Sequence, residues 1–208
     1  MTFDIKKMLS PDVFDHPVEQ IELIETHISW VILTGKYAYK IKKPVNFGFL
    51  DFSTLEKRKK FCEQELTLNR KLASEIYLDV VSINNSAHNP IISSNGKAVE
   101  YAVKMRQFPQ SAQLDNRLTA GKLTLKNIDA IAQMIAHFHG TTEIADSSMN
   151  FGNSIIVNHA VEENFLQIRQ HLHTHDYETR LTALSQWSET EEKKLQNGET
   201  LLESIMSL

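Results

Sequence analysis

The feature that most constrains this chain is a carboxylate in an unexpected place. Residues 54–73 favour a helix, and at about 100° per residue Phe61, Glu65, Leu68 and Leu72 fall on one stripe, with Cys62 and Asn69 at its edge. Glu65 therefore lies in the middle of the face that should be buried. An unpaired buried charge is costly, so Glu65 either meets a cation inside the fold or sits at the stripe's margin and reaches water. The run just before the helix, Tyr37-Ala38-Tyr39-Lys40-Ile41-Lys42, offers that cation. On a strand, Tyr37, Tyr39 and Ile41 share one face while Ala38, Lys40 and Lys42 share the other, so two lysines compete for one glutamate. A small residue two places before a lysine suits a flat ring lying close to the backbone, with the lysine reaching that ligand's phosphates. A half-exposed strand with solvated lysines fits the same pattern.

The surrounding sequence builds a sheet around this pair. Ile21–Glu25, Trp30–Thr34 and Tyr37–Lys42 are short β-type runs separated by Thr26–Ser29 and by Gly35, as three consecutive antiparallel strands would be. Ser53-Thr54-Leu55-Glu56 reads as a capping box opening the helix, with Ser53 as the cap. Further β-type runs follow at Tyr77–Ile83, Pro90–Ser93 and Ala98–Phe108, and Asn95-Gly96 signals a hairpin between the last two. Beyond Pro109 the chain turns helical. Ile128, Ile131, Ala132, Ile135, Ala136 and Phe138 mark an apolar stripe that Gly140 can end, and helices are expected near Ile155–Leu172 and Asp176–Met206. The expected class is α+β: a lead-in at 1–20, an antiparallel sheet with one helix at 21–108, and a helical portion at 109–208.

Composition narrows the function. A net charge of −4 and a pI near 6.1 argue against a nucleic-acid partner, whose footprint would be basic. A single cysteine, Cys62, excludes an internal disulfide framework and fits a reducing compartment. The first residues lack the long apolar core of a signal peptide, and no apolar run approaches the roughly 18 residues of a membrane span, so a cytoplasmic protein without a membrane partner is expected. His171, His173 and His175 alternate, but no glutamate completes a zinc motif, and they read as a solvated helical face rather than a metal site.

These segments also carry a family resemblance. A strand Ala-x-Lys, then a helix whose Glu pairs with that Lys, then a hairpin leading to a connecting segment is the plan of the protein-kinase N-terminal lobe. More closely, residues 27–81 resemble the N-terminal domain of a bacterial family related to aminoglycoside phosphotransferases, often fused to a P-loop ATPase domain. The similarity runs through Glu25-Thr26-His27-Ile28-Ser29-Trp30, Tyr39-Lys40-Ile41-Lys42-Lys43-Pro44-Val45, Phe49-Leu50-Asp51-Phe52-Ser53-Thr54-Leu55, Glu65–Leu72 and Ile76-Tyr77-Leu78. It continues more loosely through Val103–Pro109 and Ala136-His137-Phe138-His139-Gly140.

The resemblance implies a kinase-like N-lobe followed by an incomplete helical C-lobe, with ATP as the bound nucleotide. Lys40 would hold its phosphates, with Lys42 as the competing lysine, and Glu65 would orient the lysine. The glycine-free turn Thr26–Ser29 would lie over the phosphates, with Ser29 in contact. Lys104 to Gln107, Met105 included, would read the adenine edge. It departs from the family in one respect. Relatives carry a His-Gly-Asp-x-x-x-x-Asn segment and a later acidic motif for the substrate hydroxyl and Mg²⁺, whereas His139-Gly140-Thr141 lacks the acid. The chain is therefore expected to be the front part of an ATP-dependent small-molecule phosphotransferase, with a C-terminal segment or P-loop domain elsewhere, or a naturally shortened homologue. By itself it is expected to bind ATP weakly and to turn nothing over, with no catalytic residue of its own. Mg²⁺ would enter only in the longer enzyme. The alternative is a non-catalytic nucleotide-binding or pseudokinase-like regulatory module. The phosphoryl acceptor is not written in these residues.

Overall fold

The computed structural model describes residues 3–86, 89–93, 95–144, 146, 154–171 and 175–206. The chain divides into two compact units, residues 1–140 and 141–208, and its class is α+β. In the first unit three strands, β1 (Glu22–Glu25), β2 (Ser29–Leu33) and β3 (Tyr37–Lys42), form an antiparallel meander. Helix α1 (Leu55–Ala73) follows, then β4 (Tyr77–Ser86), β5 (Asn89–Ile92) and β6 (Glu100–Arg106). The sheet order is β1-β2-β3-β6-β4-β5, with every pair antiparallel.

The expected β5–β6 hairpin at Asn95-Gly96 does not form. β5 pairs with β4 at the sheet edge, and β6 crosses back to lie between β3 and β4. The chemistry of the two strands explains the choice. β5 contains Pro90, which cannot complete a two-sided ladder and belongs at an edge. Ala102 and Val103 of β6 are fully buried, as a central strand requires. Gly96, at φ +108, supplies the left-handed bend that starts the crossing.

The stretch before β1 is part of the core. Its 3₁₀ turns, Ile5–Met8 and Pro11–Val13, lay Met8, Val13 and Phe14 against Ile32, Tyr39, Ile41, Ile83, Ile92 and Ala102 on one face of the sheet. Lys104 Nζ is 3.2 Å from an Asp15 carboxylate oxygen, and His16 Nε2 is 3.1 Å from Thr34 Oγ1, which ties the end of this stretch to β6 and β2.

α1 packs on the opposite face, against β6 and β4. Its cap is Thr54, which accepts from the Lys57 N–H at 3.2 Å, one residue later than the expected Ser53. Ser53 instead donates its hydroxyl to Asp51 at 2.6 Å. The buried face is also turned from the expected stripe. Arg58 and Cys62 are buried and Leu66 and Asn69 partly so, whereas Leu68 and Leu72 are 62% and 47% exposed. The cause is Arg58, whose Nε lies 2.9 Å from both oxygens of Glu100 and whose Nη1 donates to the Phe52 carbonyl at 2.9 Å. That buried fork fixes the rotation of the helix about its axis.

After β6 come a 3₁₀ turn at Gln110–Ala112, α2 (Leu114–Thr119) and α3 (Leu125–Thr141). α3 runs through Gly140, where an end was expected, and Ile128 and Ile135 on its stripe are exposed. In the second unit α4 (Ser154–His171) packs against α5 (His175–Met206), with Leu181 buried and Arg169 Nε 3.4 Å from Glu178. The side chains of His171, His173 and His175 lie outside the described residues. No helix among the described residues is long and apolar enough to cross a membrane.

Candidate functional site

β3 carries the site because alternation sends Ala38, Lys40 and Lys42 to the α1 side of the sheet while Tyr39 and Ile41 enter the core on the other. Both lysines reach Glu65. Lys40 Nζ is 2.7 Å from Oε1 and Lys42 Nζ is 2.7 Å from Oε2, so the competition expected between them resolves as a shared carboxylate. The Glu65 side chain is 12% exposed. Burial alone would raise its carboxyl, but hydrogen bonds and charge from Lys40 and Lys42 outweigh that and hold it below the ordinary value. Two cations and one anion leave the cluster with a surplus positive charge. The third lysine of the run, Lys43, turns away to Glu25 at 2.6 Å.

A cavity of about 540 Å³ opens beside this cluster. Ile24, Val31, Leu33 and Ala38 supply apolar walls from the first three strands. Tyr77 and Met105 line it from β4 and β6, with Ile76 just before β4 and Gln107 and Phe108 beyond the end of β6. Lys40 is its one lysine. Arg106 is a second cation in its lining, so the cavity is largely apolar with positive charge at Lys40 and Arg106, a polarity that suits a flat ring bearing an anionic tail.

Other expected residues take distinct places. Met105 lines the cavity, directly across the ladder from Ala38. Ser29 does not line it. It lies opposite Lys42 in the β2–β3 ladder, buried, and its Oγ has no hydrogen-bond partner among the described residues. The glycine-free turn before β2 is closed by Thr26, whose N–H donates to the Ser29 carbonyl at 2.9 Å and whose Oγ1 accepts from the Ser29 N–H at 3.0 Å. Thr26, not Ser29, borders the cavity. In the segment expected to read a ring edge, the N–H groups of Arg106 and Gln107 donate to Ile76 and Lys36. They are committed within the chain.

Sequence reasoning missed two supports. The Gln107 side-chain oxygen accepts from the N–H groups of Thr34 at 3.0 Å and Gly35 at 2.8 Å, pinning the β2–β3 turn to the strand end across the cavity mouth. Nothing in the sequence signals a contact over that separation. The Arg58–Glu100 fork was more accessible, because Arg58, Cys62, Glu65 and Asn69 follow the 4-3-4 spacing of a single helical face. Cys62 lies within that face, and burial pushes its thiol up to about 12, so it stays neutral. Among the described residues no group of three or more His, Cys, Asp and Glu converges as a metal site.

Comparison with known proteins adds relatives without a described activity. The chain is 33% identical over 159 residues to an uncharacterized protein of Mycobacterium tuberculosis, and the same figures hold for an uncharacterized protein of Mycobacterium bovis. The match takes in 75% of this chain and 30% of each relative, so the chain spans less than a third of the length of the curated relatives it matches. No family model matches the chain. No solved structure matches it either.

Proposed function

We propose that this chain forms the nucleotide-gripping part of a kinase-like, ATP-dependent phosphotransferase acting on a small molecule. The observation that carries the reading is Lys40, which lines an apolar cavity while its ammonium is held by a helix-borne glutamate. The order of parts supports it: three antiparallel strands, a helix bearing Glu65, and a returning strand that ends at the cavity mouth. An adenine ring would lie between Val31, Ala38 and Met105, its edge read from Phe108 onward because the preceding N–H groups are taken. Lys40 would meet the phosphates, and Glu65 would aim it. Phosphoryl transfer depends on positioning and charge neutralisation, so the chain's own share is to hold and orient the nucleotide. The acids that anchor Mg²⁺ and meet the acceptor hydroxyl are not among its motifs.

Calorimetric titration with ATP, ADP and adenosine tests the reading. ATP should bind with a dissociation constant of about a millimolar and adenosine more weakly. Ala38→Leu, which fills the slot, should abolish both, and Lys40→Met should remove the preference for ATP. Binding indifferent to both substitutions would overturn the assignment.

A further inference from the structure

The two lysines on Glu65 are not equivalent. The Lys40 side chain is 30% exposed and borders the cavity. The Lys42 side chain is 6% exposed, does not border the cavity, and places its ammonium 4.9 Å from the centre of the Phe52 ring. Each lysine takes its own oxygen of the carboxylate. Either can therefore leave without dislodging the other.

That arrangement answers a problem built into any site with one lysine and one buried glutamate. A lysine drawn onto an anionic ligand abandons the glutamate, and a buried carboxylate without a counter-charge is costly enough to hold the lysine back. We propose that Lys42 is a positioning residue that keeps Glu65 neutralised and in place, leaving Lys40 free to transfer its ammonium to an anion in the cavity. This inference rests on the nucleotide reading for the identity of the anion, and on the geometry alone for the division of labour.

The surroundings of Lys42 fit a fixed role. Its ammonium is bounded by Glu65 and by the Phe52 ring, and a cation over an aromatic face is attracted to it. Phe52 is itself fixed, because its carbonyl accepts from Arg58. Two further titratable groups lie close enough to feel the Glu65 charge, Tyr77 on β4 and Cys62 on α1. Burial, followed by the Glu65 charge, raises the Tyr77 phenol, and burial first of all raises the Cys62 thiol. Neither supplies a second anion at neutral pH, so Lys42 has one carboxylate to hold.

The test titrates tripolyphosphate and ATP into wild type, Lys42→Met, Lys42→Arg and the double variant Lys42→Met/Glu65→Gln. It also follows the Glu65 side-chain carbon by NMR across pH without ligand in wild type, Lys42→Met and Lys40→Met. Lys42→Met should weaken both anions about tenfold although Lys42 does not border the cavity, because Lys40 becomes the sole partner of Glu65. Lys42→Arg should restore most of that loss. The double variant should bind better than Lys42→Met, since a neutral glutamine no longer holds Lys40. A merely structural lysine would not be rescued by removing its partner. In the NMR arm Lys42→Met should raise the Glu65 titration more than Lys40→Met does. Lys42→Gln serves both arms if the methionine variant does not fold. Unchanged binding in Lys42→Met, or a double variant no better than the single, overturns the proposal. Should wild type bind neither anion, the nucleotide reading falls, and the order of the two NMR shifts alone upholds or overturns Lys42 as the keeper of Glu65.

Discussion

Arg58→Met offers the sharpest probe of how α1 is held. Glu100 is 1% exposed, and the Arg58 guanidinium meets both of its oxygens at 2.9 Å. Truncating one member of such a pair leaves an uncompensated buried charge, which costs about 3–5 kcal/mol. The Phe52 carbonyl also loses its donor, adding about 1 kcal/mol. The sum, roughly 4–6 kcal/mol, rivals the whole stability of an ordinary domain.

The loss should depend on pH in a defined direction. Burial already pushes the Glu100 carboxyl above its ordinary value against the pull of Arg58, and removing the arginine pushes it further. A carboxyl whose folded value lies above its unfolded one weakens the fold as pH rises from the unfolded value through the folded one. The penalty should therefore be small near pH 4 and full near pH 8. Urea unfolding in a Trp187→Phe background, where Trp30 in β2 is the remaining tryptophan, reads the sheet unit directly. Adding Glu100→Gln to Arg58→Met should recover part of the loss. A deficit below about 1 kcal/mol at pH 7, or one equal at pH 4 and pH 8, would refute the reasoning.

Two further outcomes follow from other parts of the same unit. Phe14→Ala should cost about 3–5 kcal/mol in the same unfolding assay, because it empties a buried aromatic site between the N-terminal stretch and the sheet. A loss near zero would mean the stretch does not belong to the core. Glu65 has a folded value below its ordinary one, so its contribution is complete above the unfolded value near 4.5 and is lost as pH falls through the folded value. The stability gap between wild type and Glu65→Gln should accordingly narrow below about pH 4, and a gap that widens there would contradict the pairing.

The local chemistry of the site was largely legible in the chain. Alternation placed Ala38, Lys40 and Lys42 on one face, and helical winding placed Glu65 inward, so the pairing followed from the cost of a bare buried charge. The rotation of α1 was signalled only by the spacing of Arg58, Cys62, Glu65 and Asn69, and apolar periodicity outweighs that by ranking Leu68 above Arg58, whereas the fold buries the arginine and exposes the leucine. Only Glu100, 42 positions away, reverses that ranking. The Asn95-Gly96 signal misled for a similar reason. A turn dipeptide reports a bend, while pairing depends on which strand can be buried on both sides and which must sit at an edge with its proline. Gln107 and Phe14 were beyond reach altogether, since their partners are distant in sequence and ordinary in composition.

The N-terminal stretch has a consequence for how the molecule comes into being. Met8, Val13 and Phe14 lie among residues that include Ile83, Ile92 and Ala102, so this stretch, made well before them, has no complete seat until β6 has left the ribosome. At about 5–20 residues per second that wait lasts seconds, with three apolar side chains uncovered throughout. A stretch made before the whole sheet is then among the last to find its place. The nascent protein presents to its surroundings, for that interval, a short greasy segment that the finished one hides.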